Sequence, residues 1–135
     1  MRVLLDKSEE SLEAANLLKD EELFASSVHC YYYSCIQLMR FILFYIYEID
    51  EEDFDNRLTD NSHNTLINEI TNKIDYSVVN LNRFKADFRR IKYLRKDADY
   101  KQKLILKIDC NEAQKLARNI SNTLKEVNKD KYDFR

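Results

Sequence analysis

The chain has 135 residues, enough for one domain with its own core, and it contains no glycine and no proline. The absence of glycine excludes sites that need a glycine-rich backbone, such as the nucleotide-binding phosphate loop, the dinucleotide-binding turn and the nucleophile elbow. It also disfavours β-hairpins, whose tight turns prefer glycine. We therefore expect an all-α protein, one domain over residues 1–135, with helices capped by Asn, Asp and Ser.

The charges nearly balance, with 22 basic and 24 acidic residues and a net charge of −2. Uniform attraction to nucleic acid or to an anionic membrane is therefore not the organising feature. The three cysteines, Cys30, Cys35 and Cys110, lack a metal-binding spacing, and the sequence has no signal peptide. These features predict a cytoplasmic protein with free thiols, without a metal or a cofactor.

The first two predicted helices cover about residues 2–19 and 22–49. The second contains the aromatic run YYYSCIQLMRFILFYIYEI, which is almost long enough to cross a bilayer. Arg40 at the centre of this run would cost about 2.5–3.5 kcal/mol in a membrane. We therefore predict a buried central helix and no membrane association. A subunit or partner interface is also compatible with its aromatic side chains, Phe41, Phe44, Tyr45 and Tyr47.

Residues 48–60 interrupt the helical pattern, because six of the eight residues at 48–55 are acidic. Their mutual repulsion predicts a solvated loop. Beyond this loop, Asn61 or Ser62 is suited to cap a short third helix. The apolar residues of that helix are Leu66, Ile67, Ile70 and Ile74.

Two further helices complete the predicted fold. The fourth covers about residues 78–97, and its core-facing positions are Leu81, Phe84, Phe88, Ile91, Leu94 and Ala98. The last covers about residues 110–128 and begins with a capping-box pattern, in which Asp109 is the cap and Glu112 its partner. These elements predict a bundle of four or five helices.

The fourth predicted helix carries a basic stripe formed by Lys85, Arg89, Lys92 and Lys96. The stripe is compatible with a solvated face, with a track for a phosphate backbone, and with an acidic partner or self-association with the acidic segment. Arg95 falls instead among the core-facing positions, where an unpaired guanidinium is costly to bury. We expect either an ion pair with Asp99 or a bidentate phosphate ligand, to which Tyr100 adds a hydroxyl or a stacking face.

The two histidines have different predicted environments. His29 lies within the central helix and is predicted to be a packed, hydrogen-bonded core residue. His63 begins the third helix and is predicted to be exposed, with the acidic segment favouring its protonated form. Arg57 and His63 together supply the groups for metal-free RNA cleavage, a proton acceptor and a charge that stabilises phosphate. Their six-residue separation brings them together only if the cap at Asn61 or Ser62 intervenes.

Three blocks of the sequence together resemble the small prokaryotic branch of the HEPN domain superfamily. They are ASSVHCYYYSCIQLMRFIL at 25–43, NSHNTLINEI at 61–70 and YLRKDADY at 93–100, and the resemblance covers about residues 5–128. It implies an up-and-down four-helix bundle with an additional short helix, usually a homodimer. It also implies a gene beside that of a minimal nucleotidyltransferase, in a toxin–antitoxin or phage-defence system.

Catalytic members of this superfamily are ribonucleases with an Arg-x4-6-His motif on a late helix that faces the dimer cleft. In this sequence no histidine follows Arg89, Arg90 or Arg95, and the matching spacing is that of Arg57 and His63, in an earlier segment. The family's late-helix region is occupied here by the Arg-x-x-Ala-Asp-Tyr pattern.

The resemblance carries a nucleotide-binding role over to the residues of this pattern, Arg95, Asp99 and Tyr100, with His63 as a partner. The basic stripe adds Arg89 and Lys92 as candidate phosphate ligands.

The sequence therefore predicts a HEPN-type nucleotide- or RNA-binding or partner-docking domain, one half of a pair with a minimal nucleotidyltransferase. One alternative is a metal-independent endoribonuclease toxin that uses His63 with Arg57 or Arg95, so the question of enzymatic activity stays open. The other alternative is a purely structural dimerisation or interaction module. The expected partners are a second copy of the chain, a nucleotidyltransferase, and RNA or a nucleotide.

Overall fold

A computed structural model describes residues 2–57, 62–74 and 80–134. All regular secondary structure in these segments is helical, which confirms the predicted all-α class. The helices in chain order are α1 (Val3–Asp20), α2 (Phe24–Phe41), α3 (Glu51–Asn56), α4 (Ser62–Thr71), α5 (Leu81–Tyr100) and α6 (Lys107–Val127).

The central element is α2, which packs against α1, α4, α5 and α6. Tyr31, Tyr32 and Met39 are completely inaccessible to solvent, as expected for a helix that is apolar on nearly every side. The helix continues into a π-helical turn over Ile42–Ile46, so the predicted long helix ends a few residues early. None of the described helices is both long and apolar enough to cross a membrane. All three cysteines are free, as predicted.

The acidic segment is not the loop that the sequence predicted, because residues 51–56 form the short helix α3. Asp50 caps this helix, and its side chain accepts a hydrogen bond from the backbone N–H of Asp53 at 2.9 Å. Carboxylates in the first turn interact favourably with the helix dipole, which offsets part of their mutual repulsion. Phe54, 1% exposed, attaches the helix to the core, and Arg40 lies 3.1 Å from Glu51.

The boundaries of α4 and α5 differ from the predicted ones by a few residues. Ser62, one of the two predicted caps, is the first residue of α4, and the other, Asn61, lies outside the described residues. Asn80 caps α5, accepting a hydrogen bond from the backbone N–H of Arg83 at 3.0 Å. The helix then extends to Tyr100. Its predicted core positions are all buried except Ala98, which packs against the core's edge.

Helix α6 begins at Lys107, three residues before the predicted start. Asp109 is therefore not the N-cap, and it occupies the third helical position, where its carboxylate accepts a hydrogen bond from the backbone N–H of Leu106 at 2.9 Å. Glu112 is not its capping partner. It pairs with Arg90 of α5 through two contacts of 2.8 Å, so it joins α5 to α6.

The aromatic residues after α2 are partly covered by the end of the chain. The ring of Phe41 stacks on Tyr45 and meets the edge of Tyr132, with centroids 5.1 Å away in both cases. Phe134 lies 6.4 Å from the same ring. Phe41 is 1% exposed and belongs to the core rather than to an interface, whereas Tyr45 is 47% exposed.

Candidate functional site

Arg95 is a charged residue in the core-facing row of α5, and it lies within an enclosure of aromatic rings. It is 6% exposed. Its guanidinium carbon lies 4.8 Å from the ring centroid of Tyr32, 5.6 Å from that of Tyr33 and 5.7 Å from that of Tyr100. Cation–π attraction to these rings offsets part of the cost of burying the charge, which explains how an arginine occupies an apolar position.

The polar contacts of Arg95 leave much of its hydrogen-bonding capacity unused. The ion pair expected with Asp99 is long, with Nη1 3.7 Å from the carboxylate Oδ2. The same Nη1 donates to the hydroxyl of Tyr100 at 3.4 Å. The buried Nε has no hydrogen-bond partner among the residues that the structure describes. A guanidinium with spare donors in an enclosure of low polarity is suited to bind an anion.

His29 is not the packed core residue that the sequence predicted, although it is hydrogen-bonded. Its side chain is 46% exposed, and its partner on α5 lies one residue before the last residue of that helix, Tyr100. Its Nδ1 lies 2.9 Å and 3.0 Å from the two carboxylate oxygens of Asp99. The ring also packs against Tyr33, with centroids 4.7 Å apart.

His63 is partly buried rather than exposed, and its Nδ1 lies 2.7 Å from the hydroxyl oxygen of Tyr32. Burial lowers the pKa of His63 to about 4, and four positive charges act in the same direction, those of Arg95, Lys92, Arg40 and Lys96. The predicted protonated form is therefore wrong. Cations, and not the carboxylates of the acidic segment, dominate the surroundings of this imidazole.

Residues from α2, α4 and α5 thus meet in one place, which we call the arginine cluster. Tyr32 joins two of its members, since its ring faces Arg95 and its hydroxyl contacts His63. Asp99 joins two others, because it contacts both Arg95 and His29. The cluster consists of His29, Tyr32, Tyr33, His63, Arg95, Asp99 and Tyr100.

The predicted basic stripe lies beside the arginine cluster on α5. Lys92 donates to the side-chain oxygen of Asn64 on α4 at 2.7 Å. Between α4 and α5 lies a groove of about 340 Å³, lined by Asn64, Ile67, Asn68, Lys85, Phe88, Arg89 and Lys92. Within the described part of the chain, none of the four stripe residues forms a salt bridge. Their charges are therefore not offset by a described carboxylate at contact distance.

Arg57 has a different location from the one that an Arg57–His63 site requires. Its guanidinium lies 3.4 Å from Glu69 and 5.7 Å from the ring of Phe54. It lines a groove beside the acidic segment, whereas His63 lines a separate groove with Tyr33. The residue that the structure brings close to His63 through Tyr32 is Arg95.

Sequence reasoning missed the participation of His29, Tyr32 and Tyr33 in this site. Their spacing of three and four residues contains a signal, since it places all three on one face of a helix. The spacing alone does not say which part of the chain packs against that face. The contact with Arg95 and Asp99 requires knowledge of how α2 and α5 pack.

Comparisons of the chain with protein-family models, with curated proteins and with solved structures find no match. Among the described residues there is no group of three or more His, Cys, Asp or Glu side chains placed to hold a metal ion.

Proposed function

We propose that the chain is a HEPN-type domain that binds RNA or a nucleotide through phosphate groups, at the arginine cluster and the basic stripe. We further propose that it forms a homodimer in the cytoplasm, as one half of a toxin–antitoxin or phage-defence pair with a minimal nucleotidyltransferase. In this proposal α1, α2, α5 and α6 form an up-and-down four-helix bundle, and α3 and α4 are short additions to it.

One observation carries the proposal. Each residue of the arginine cluster belongs to one of the three sequence blocks that resemble the superfamily, 25–43, 61–70 and 93–100. These blocks are far apart in the chain, yet α2, α4 and α5 bring their polar residues into direct contact. If the resemblance were fortuitous, the polar residues of the three blocks would have no reason to meet in the fold. Their contact is expected if they form one site.

Phosphate is the ligand chemistry that suits the site best. Arg95 has a buried donor without a described hydrogen-bond partner, and the ring of Tyr100, 73% exposed, provides a stacking surface for a base. The stripe adds cations along α5, and cations that neutralise phosphates release the counterions condensed on a nucleic acid, which favours binding of a polyanion. The pKa of His63 indicates the same excess of positive charge, because the nearby charges that shift it are cationic.

Binding of a fluorescent single-stranded RNA, followed by anisotropy over a series of salt concentrations, tests the proposal. We expect the affinity to fall steeply with salt, and Arg89→Ala and Lys92→Ala each to lower the slope by about one phosphate contact. Arg118→Ala is the matched control, since it removes the same charge from an exposed position beside α1. Equal effects of all three substitutions, or no binding at low salt, would contradict the proposal. Association with protein that is independent of salt and sensitive to Tyr45 would support an interaction module instead.

Metal-independent RNA cleavage is a second candidate function. The specific observation in its favour is that both histidines of the chain belong to the arginine cluster, where His29 contacts Asp99 and His63 contacts Tyr32, and both of these residues contact Arg95, whose charge is suited to stabilise a phosphate. Incubation of labelled RNA with the protein in EDTA tests it. Cleavage that is absent in Arg95→Ala, with helicity and oligomeric mass unchanged, would support this candidate, and no cleavage at large protein excess would exclude it for this chain alone.

A further inference from the structure

We infer that the chain pairs with a second copy of itself by placing the connection between α5 and α6 in the acidic groove beside α3 of the other copy. The inference rests on the homodimer of the proposed function, and it names the surfaces that form that dimer. The connection covers residues 101–106. The groove has a volume of about 700 Å³ and is lined by Glu48, Ile49, Asp50, Asp53, Asn56 and Arg57.

The connection exposes a large amount of apolar side chain. Leu104 is 79% exposed, Leu106 is 51% exposed, and Ile108 in the first turn of α6 is 72% exposed. Ile105, between the two leucines, is 7% exposed. The backbone is extended at Lys101 and at Leu106, so neighbouring side chains alternate between the core and the surface. Adjacent apolar side chains that remain exposed mark a surface that another molecule covers.

The surroundings of these apolar side chains are positive. Lys101 and Lys107 are exposed, and neither forms a salt bridge with a described carboxylate. The N-terminal end of α6 adds the positive pole of a helix of 21 residues. The nearby carboxylates are already engaged, since Asp97 pairs with Lys103 at 3.2 Å and Asp109 accepts a hydrogen bond from the backbone at the start of α6. The occupant that suits this surface is therefore both apolar and acidic.

The groove beside α3 has the opposite character. Glu48, Asp50 and Asp53 line it, and in the part of the chain that the structure describes none of the three forms a salt bridge. Ile49 lies between two of these acids and is partly buried, so it gives the groove an apolar wall. Lysines flank Leu104 in the connection as carboxylates flank Ile49 in the groove. Complementary charge of this kind selects the partner and the register of an interface.

The positions of the two surfaces suit an antiparallel pair of copies. Asp99, which comes just before the connection, contacts His29 of α2, and Glu51 of α3 contacts Arg40 of α2. His29 and Arg40 are eleven residues apart, which places them on one face of α2 and about 16 Å from each other along its axis. The connection and the groove therefore start from the same side of the molecule, at opposite ends of that face.

A two-fold axis across the middle of this face of α2 brings each connection to the groove of the other copy. Each copy then supplies one connection and one groove, so two identical contacts form and the pair is closed. A single head-to-tail contact would leave one connection and one groove uncovered and would extend into a chain of copies. The closed pair covers the exposed leucines of both copies.

Sedimentation velocity of the full chain at low and at high salt tests the inference. We expect a particle with the mass of two chains, which dissociates as the salt concentration rises because exposed charges are screened. Lys101→Glu with Lys107→Glu, and separately Glu48→Lys with Asp53→Lys, should each raise the dissociation constant of the dimer at least about tenfold. An equal mixture of the two variants should regain a dimer, since each connection then meets a groove of opposite charge.

Two controls separate this contact from general effects of charge and of apolar surface. Glu10→Lys with Glu13→Lys reverses two exposed charges on α1 and should leave the dissociation constant unchanged. Leu104→Ser should raise the dissociation constant at least about tenfold. Leu17→Ser, at a residue of α1 that is 59% exposed, should leave it unchanged.

The inference fails in three cases. A dimer with the same dissociation constant in wild-type protein and in both charge-reversed variants forms through another surface, and the proposed homodimer stands. A mixture that stays monomeric, although both variants keep the helicity of the wild type, shows that the two surfaces do not pair.

A wild-type chain that is monomeric at every concentration overturns the inference and the proposed homodimer together. Sedimentation of that monomer with phosphatidylserine vesicles, lost in Leu104→Ser, would assign the connection to a lipid surface. Anisotropy of labelled RNA with the same proteins tests the phosphate-binding part of the proposed function separately, because these substitutions leave the basic stripe intact.

Discussion

The guanidinium of Arg95 lies against the ring of Tyr32, 4.8 Å from its centroid. Tyr32 is completely buried, and burial raises the pKa of its hydroxyl above the ordinary value for tyrosine. The phenol therefore stays neutral at physiological pH and does not form an ion pair with the arginine. Among the described residues, the carboxylate that pairs with Arg95 is that of Asp99, at a long distance of 3.7 Å, so the guanidinium leaves the centre of the cluster positive.

The hydroxyl of Tyr32 can be removed without removing its ring. Tyr32→Phe keeps the surface against which Arg95 packs and deletes the group that lies 2.7 Å from Nδ1 of His63. We expect the free energy of unfolding to fall by about 1–2 kcal/mol, because a partly buried imidazole nitrogen loses its partner. Urea unfolding measures the change. Tyr93→Phe, at a residue 56% exposed, is the control and should change it by less than about 0.5 kcal/mol. Equal effects of the two substitutions would refute this role for the hydroxyl.

The helices of this chain could be predicted from sequence because their apolar periodicity is long and regular. Phe84, Phe88 and Ile91 are core residues in the structure, as their spacing indicates. The acidic segment could not be predicted in the same way. Helix α3 is stabilised by the burial of Phe54 in the core and by the ion pair between Arg40 and Glu51. Neither contact is local in sequence.

The candidate site shows the same division between local and tertiary information. The unusual position of Arg95 in an apolar row and its proximity to Asp99 could be predicted, since both follow from the geometry of one helix. The states of the two histidines could not. The exposure of His29 and the burial of His63 depend on where α5 ends and on how α4 packs, and their predicted environments were reversed.

The depressed pKa of His63 predicts a dependence of stability on pH. The pKa of an unperturbed histidine is about 6.5, whereas that of His63 in the folded protein is about 4. Between these values the unfolded chain binds more protons, so the free energy of unfolding falls as the pH is lowered. From pH 7 to pH 5 we expect the titration of His63 to lower the free energy of unfolding by about 1–2 kcal/mol. Urea unfolding at pH 7 and pH 5 measures this decrease, which should be about 1–2 kcal/mol smaller in His63→Gln than in the wild type. An equal decrease in the wild type and in His63→Gln would show that another group is responsible.

The end of the chain covers the aromatic residues after α2. Tyr132 and Phe134 pack edge-on against Phe41, which is 1% exposed. The double substitution of Tyr132→Ser with Phe134→Ser should expose Phe41 and Tyr45, lower the free energy of unfolding by about 2–3 kcal/mol and increase the binding of an apolar dye.

A matched control for the C-terminal substitutions is available in the same part of the chain. Lys129 and Lys131 are exposed, and replacement of both by Ser changes two side chains without uncovering Phe41. Dye binding and stability like those of the wild type are expected for this control. If the aromatic double variant behaves like the control, the C-terminal segment does not protect the end of α2 in solution.

A chain without glycine ends its first helix at an energetic cost. Glu22 has a φ of 60°, and its backbone N–H donates to the carbonyl of Lys19 at 3.0 Å while that of Leu23 donates to Leu18 at 2.8 Å. These two bonds form a Schellman motif, in which the left-handed position is usually glycine.

Glu22→Gly should therefore raise the free energy of unfolding by about 1 kcal/mol, because the Cβ that is strained at positive φ is removed. Glu21→Gly, at a φ of −85°, should lower it by about 0.5–1 kcal/mol, since there the extra freedom of glycine benefits only the unfolded chain. Urea unfolding of the two variants beside the wild type gives opposite signs if the strain is real, and a loss of stability in both would show that Glu22 adopts this conformation without strain.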